Sequence, residues 1–264
     1  MSKRNFSGID LKDMLLALIV PLFVLVLWQI AVSLQLFSEL LLIPPVTLVK
    51  TLRDLAHSGD LTVNIIASSK RVVTGFLIGG SAGLILGVFM GISSFVDRFI
   101  GPLIKACKHV PLFAWMPMII LLFGIGELTK VVFLSIGAFF PILYNTYQGV
   151  SGVPKIYREL AQVFDYKSYR YLAKIIIPSA MPSIITGVRL SFGILWMFLV
   201  GAELFGSEDG LGYMMTWGRQ LFQIDVVMAG LVVIGFIGFL MNYILGIIEK
   251  HVLRWQLSFE GGAL

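Results

Sequence analysis

Long uncharged runs alternate with short clusters of charge along this chain, and the runs are of membrane length. Met14 to Ser38 holds no charged residue, and neither does the stretch between Arg71 and Asp97. Each exceeds the about 20 residues that cross a bilayer core. Further apolar runs are Val110 to Gly126, Val131 to Val150, Pro178 to Glu203 with Arg189 inside it, and Val226 to Ile248. The pattern predicts six membrane-spanning helices in a single 1–264 domain, with Pro111 and Pro117 breaking the third. Proline-broken helices are tolerated at membrane depth only where protein or water meets the freed backbone groups.

Two amphipathic patterns lie between the runs. Leu48, Val49, Leu52 and Leu55 recur at helical spacing after two prolines, which predicts an interfacial helix. The longest polar interruption, Pro154 to Pro182, carries Lys155, Arg158, Glu159, Asp165, Lys167, Arg170 and Lys174. Within it Tyr157, Leu160, Ala161 and Phe164 stand at i, i+3, i+4 and i+7, one helical stripe. A second short helix is expected from a Ser168 cap, with Leu172, Ile175 and Ile176 on one face, and a new segment is expected to open at Pro178. Two short amphipathic helices joined by a turn have the shape of a helix-in-groove ligand for a soluble partner.

Composition narrows the class. The chain has 264 residues, 58% of them hydrophobic and 13% charged, with a mean hydropathy of +0.92. A soluble globule carries about a quarter charged residues, so this is an all-α, polytopic helical membrane protein. The net charge of +5 reports topology here and not nucleic acid. With the N-terminus taken as cytoplasmic, thirteen Lys and Arg fall on the inner side and six on the outer side. That bias places both termini and the 151–177 loop in the cytoplasm. A single cysteine, Cys107, excludes an internal disulfide, and the three scattered histidines offer no metal spacing.

The 151–177 stretch resembles the EAA loop of ABC importer permeases. Glu159 and Ala161 hold the first and third places, Asp165 stands where the family has Gly, nine residues follow, and Ile175, Ile177 and Pro178 close the pattern. Leu160 and Ile177 are apolar replacements. Asp165 accepts the left-handed turn that the glycine would make, though less readily. The segments WMPMIILLFGIGELTK and GAELFGSEDGLGYMMT look like the branch that imports nitrate, sulfonate, taurine or bicarbonate, with relatives that carry thiamine-precursor pyrimidines or riboflavin.

The resemblance implies an ABC type I importer permease fold and a chain that is not an enzyme. It implies cytoplasmic ABC ATPase subunits, an extracytoplasmic substrate-binding protein and a second permease copy as partners, with no nucleic acid. It implies no cofactor in this chain, with Mg-ATP on the partner ATPase; the sequence agrees in lacking a G-x-x-x-x-G-K-[ST] loop. The residues that contact the ATPase would be Tyr157, Glu159, Leu160, Ala161, Phe164, Asp165, Ile175 and Pro178. An ion-coupled secondary transporter is the reading from another class, and the absence of repeated halves speaks against it.

Two features inside the runs invite a role. Gly75, Gly79, Gly83, Gly87 and Gly91 form a ladder at every fourth position. Such small-residue rows let helix backbones approach closely. A drift of about 40° per step predicts that the row meets more than one neighbour. Arg189, Trp196 and Glu203, seven apart, share one helix face and are read as lining the translocation pathway. The expected structural partners of Arg189, if it has any, are carbonyls freed by Pro111 or Pro117 or the cytoplasmic interface.

The charge bias yields a direct test of orientation. In a Cys107→Ser background, a cysteine at position 57 is expected to react with a membrane-impermeant thiol reagent in sealed cells, and one at position 167 only after lysis. Labelling of position 167 in sealed cells overturns the orientation.

Overall fold

The computed structural model describes residues 11–36, 42–154, 156–157, 159, 163 and 166–254, and among them every regular element is helical. The chain divides into two compact units, residues 1–61 with 214–232, and residues 62–213 with 233–264.

In the first unit, helix α1 (Leu11–Ser33) precedes α2 (Pro45–Ser58), which starts on a proline and stops at Gly59 with φ +85°. Leu48 of α2 is buried with Ile43 and Ala229, and Trp28, Leu52, Leu55 and Met228 pack round them. The predicted amphipathic helix therefore forms, but its apolar stripe is covered by protein instead of lying free for an interface; Val49 falls off the stripe and is 66% exposed. The Trp28 indole donates to the Ile43 carbonyl at 3.0 Å and the Thr51 hydroxyl to Asp225 at 2.8 Å, polar ties that a lipid-facing surface would not supply.

The second unit is built on α3 (Asp60–Ile92), α4 (Ser94–Lys108), α5 (Met116–Phe123), α6 (Glu127–Ser151) and α7 (Ile177–Glu203). Helices α8 (Leu211–Gln220) and α9 (Ile224–Val252) each run from one unit into the other. Among the described residues, four helices are long and apolar enough to cross a membrane: Asp60–Ile92, Glu127–Ser151, Tyr169–Glu203 and Ile224–Val252. A fifth is counted if α4 and the Leu112–Phe123 segment, bent by 100°, form one broken span. The apolar helix Ile19–Ser33 is shorter. The six expected spans are therefore met by four or five.

Three boundaries differ from expectation, each for a local reason. The charged cluster Asp97 to His109, read as a flank on the cytoplasmic side, is helix α4: Ser93 caps it by accepting from the Val96 N–H, Asp97 sits in its first turn, and Lys105 and Lys108 in its last. Those signs complement the helix dipole. The break then falls at Pro111, and Pro117 opens α5 at a position where a missing N–H costs nothing. Pro178 likewise does not open a separate helix. Ser168–Tyr171 continues through a π-helical turn at Leu172–Ile176 directly into α7, with the Ile177 N–H reaching back to the Leu172 carbonyl. A π-turn shifts the bonding register by one, which lets a helix run through a residue that lacks its own donor. Finally, α8 occupies what reads in sequence as an outer loop.

All five ladder glycines of α3 face α6. An added Cβ would meet Leu134 from Gly75, Ser135 from Gly79, Phe139 from Gly83, Leu143 and Thr146 from Gly87, and Val150 from Gly91. The expectation of several neighbours is corrected to one. Both contact rows advance together, so the two helices run in the same direction. A row repeating every four residues stays in contact only if the pair wraps right-handedly, the sense imposed by any repeat longer than 3.6.

A Cβ at Gly83 would lie 2.6 Å from the Phe139 carbonyl oxygen, so no side chain fits without parting the helices. Gly83→Leu is expected to destabilise the protein by at least about 2 kcal/mol. A detergent thermal melt reads this, and an unshifted midpoint for Gly83→Leu contradicts the packing.

Candidate functional site

At the end of the second unit where α6 begins and α7 ends, one guanidinium collects three carboxylates. Arg71 lies eleven residues into α3 and is 4% exposed. Its Nε donates to Glu127 Oε2 at 2.9 Å and its Nη2 to Glu127 Oε1 at 2.5 Å. Its Nη1 donates to Glu203 Oε1 at 2.8 Å and to the Asp209 carbonyl at 2.9 Å, while Nη2 also reaches the Asp209 carboxylate. Every one of the five N–H donors of an arginine thus has an acceptor. Lys130, 2% exposed, adds a second cation by donating to Glu127 at 2.7 Å.

Glu203 is 2% exposed and is fully met: Oε1 also accepts from the Ser68 hydroxyl at 2.7 Å, and Oε2 from the Gly212 N–H at 2.7 Å. The first N–H groups of α8 find side chains in the same place, Gly210 on Asn64 at 2.7 Å and Leu211 on Ser68 at 2.9 Å. These are the orphan donors of a helix start. Gly210 has φ +109°, and a Cβ there would strike both Glu203 and Arg71, so glycine is required twice over. A charged cavity of about 840 Å³ opens above the network, with Lys70 and Glu208 on its rim.

The sequence reading placed Arg71 and Lys130 as span flanks. Both are instead buried; the Glu127–Lys130 pair three apart was a local signal for Lys130, but no sequence signal joined Arg71 to Glu203 and Asp209, more than 130 residues on. Arg189, Trp196 and Glu203 do not act on one surface. Arg189 donates to Asn242 at 3.2 Å and to Glu249 at 2.9 Å, so its partners are on α9 and not the carbonyls near Pro111 or Pro117. Trp196 donates from its indole to the Ile234 carbonyl at 2.8 Å and packs on Gly238. Glu203 turns away to Arg71. Only Arg189, half-exposed, borders an open groove, of about 480 Å³.

At the opposite end, Tyr157 and Glu159 are helical and exposed, and the Tyr157 N–H donates to the Pro154 carbonyl at 3.1 Å. Ile175 and Pro178 are half-buried; the neighbouring Leu172 and Ile176 pack with Val150, Ala180 and Ile184. Leu160, Ala161, Phe164 and Asp165 lie outside the described residues.

Comparison with known proteins fits these features to a family. The binding-protein-dependent transport system inner membrane component family matches residues 79–256. The chain belongs to that family. It is 37% identical to the aliphatic sulfonates transport permease protein SsuC of Bacillus subtilis, over 92% of this chain and 88% of that protein. To the taurine transport system permease protein TauC of Escherichia coli it is 31% identical, over 88% and 86%. The solved MetNI methionine ABC transporter shares the fold at a TM-score of 0.54 and 20% identity, covering 73% of this chain and 94% of that chain. The protein is therefore a multi-pass permease with an ABC type I importer fold and is not an enzyme; family membership implies a separate ATPase and a substrate-binding protein.

In this permease the buried network is expected to hold the α3, α6 and α7 ends together. Arg71→Met strips the cation from three carboxylates, and since Glu127 and Asp209 are 61% and 47% exposed, the loss concentrates on Glu203, whose side chain is 0% exposed. Removing one partner of a buried pair costs about 3–5 kcal/mol. The expected result is a large drop in thermal stability and membrane level for Arg71→Met, with Glu203→Gln milder. Wild-type stability of Arg71→Met contradicts the network's role.

Proposed function

We propose that this permease forms the translocation pathway for a small anion of the sulfonate, taurine or nitrate type, delivered by an extracytoplasmic binding protein and driven by cytoplasmic ATPase subunits. Similarity to a sulfonate permease over nearly the whole chain carries the solute class. A second copy of this chain completes the pathway. Lipid-length helices whose faces leave Leu77, Ile85 and Phe89 exposed support a membrane setting for it.

The ATPase docks on residues 151–177. Ile156, Tyr157 and Val163 are 56%, 43% and 80% exposed, which supports an apolar face awaiting a partner. Glu159 and Tyr157 make the contact from the first helix; Leu160, Ala161 and Phe164 share the Tyr157 stripe by sequence, and Asp165 forms the turn after it. Ile175 and Pro178 link it to α7, because the helix runs unbroken from Ser168 to Glu203. Movement at the docking face therefore reaches the bundle through a continuous helix. On this reading Arg189, Trp196 and Glu203 hold α7 in place through Glu249, Ile234 and Arg71, and Arg189 alone borders the pathway.

In reconstituted importer, Glu159→Lys is expected to assemble and hydrolyse ATP while solute uptake falls about tenfold or more, a charge reversal at a docking contact. Arg189→Gln, which leaves Glu249 unpaired, is expected to lower assembly, with Arg189→Lys closer to wild type. Normal uptake by Glu159→Lys overturns the docking assignment, and full assembly of Arg189→Gln overturns the positioning role.

A further inference from the structure

A second cavity, of about 570 Å³, lies between the Leu112–Trp115 turn, α6 and α7. Its lining changes character along its length. Lys108, Asn145 and Gln148 line it near the end of α6 that leads into the 151–177 stretch. Toward the other end the wall is Phe140, Ile194 and Phe198, and Gly137 there lets Leu112, Leu195 and Ile194 pack close to the α6 backbone. From Gly137 to Gln148 is about 16 Å along the helix.

Lys108 is the feature that gives the cavity a chemistry. Its ammonium sits 3.6 Å from the centre of the Tyr144 ring, and among the described residues no carboxylate pairs with it. A cation positioned by an aromatic face keeps its net charge available to an anion, whereas Arg189 is already neutralised by Glu249. Asn145 donates one N–H to the Pro141 carbonyl at 2.8 Å, which fixes the amide at the cavity wall with its second N–H free to donate. Among the described residues no Asp or Glu lines the cavity.

A charged, hydrogen-bonding head and a long apolar wall without a carboxylate match a monoanion with a hydrocarbon tail. Nitrate and bicarbonate have no tail to bury. Taurine carries an ammonium that would meet apolar side chains and no counter-charge, an expensive placement. We propose that this cavity is a solute site of the transport pathway and that it selects alkanesulfonates, with the sulfonate on Lys108 and Asn145 and the chain along Phe140, Ile194 and Phe198. The proposal rests on the anion-importer reading above and adds the site and the tail. Gln148 is three residues from Ser151, so an occupied site adjoins the start of the docking stretch.

The test is uptake of radiolabelled pentanesulfonate and methanesulfonate by cells carrying this permease with its own partners, normalised to permease level in the membrane. Lys108→Gln is expected to lower pentanesulfonate uptake about tenfold, the scale of one hydrogen bond to a charged group, and Lys108→Arg to restore most of it. Ile194→Phe shortens the wall and is expected to lower the pentanesulfonate-to-methanesulfonate ratio by about fourfold per methylene displaced. Excess nitrate or taurine is expected to compete less than hexanesulfonate. Wild-type uptake by Lys108→Gln, an unchanged ratio for Ile194→Phe, or equal competition by taurine overturns the site while leaving the importer reading intact. If deleting the permease leaves pentanesulfonate uptake alone unchanged, the site falls; if it also leaves methanesulfonate, taurine and nitrate uptake unchanged, the importer reading falls with it.

Discussion

A guanidinium removed from water must have every N–H met, and that demand on Arg71 shapes one whole end of the bundle. Its acceptors come from α6 (Glu127), the end of α7 (Glu203) and the turn before α8 (Asp209), so three separated stretches are tied to α3 at once. Glu203 then passes the constraint on to Ser68 and Gly212. Such an arrangement does not require net stabilisation over an apolar core, since desolvation offsets much of the Coulomb gain. What it supplies is geometry: five directed bonds fit one placement of the three helices.

The opposite end of the same helices is held differently. Val150, Ile176, Ala180 and Ile184 pack by shape alone, and the glycine row of α3 lets α6 approach to backbone contact between the two ends. Apolar contacts are non-directional and tolerate small sliding, whereas a fully bonded guanidinium does not. The two ends of the bundle are thus held by different means, directed bonds at Arg71 and apolar packing at Val150 and Ile176. The unbroken helix from Ser168 to Glu203 joins the two regions, because the π-turn at Leu172–Ile176 carries it past Pro178.

Hydropathy made much of this legible. The runs after Arg71, before Val150 and from Val226 mark helices because lipid-length apolar stretches have few alternatives. The glycine row was legible as a close contact, but its single partner was not, since that depends on the path of α6. Arg71 and Lys130 were read as flanks because sequence shows where a charge lies along the chain, not what faces it. The amphipathic pattern of α2 was read as an interfacial helix; the helix forms, but its apolar stripe did not name its cover, here Ile43, Trp28 and Ala229.

The same distinction decides which cation serves an anion. Arg189 stands out in sequence because a charge inside an apolar run is costly and must be explained. Its explanation is Glu249, sixty residues on, together with Asn242, so most of its field is spent within the protein. Lys108 is unremarkable in sequence, one of several basic residues closing α4. The bend of 100° after it turns that helix end into the wall of a cavity, and Tyr144 receives the ammonium on its ring in place of a carboxylate. The helix break at Pro111 thereby does more than redirect a span: it carries a positive charge, unpaired by any carboxylate among the described residues, to a largely apolar cavity, a combination from which a tailed anion gains at both ends.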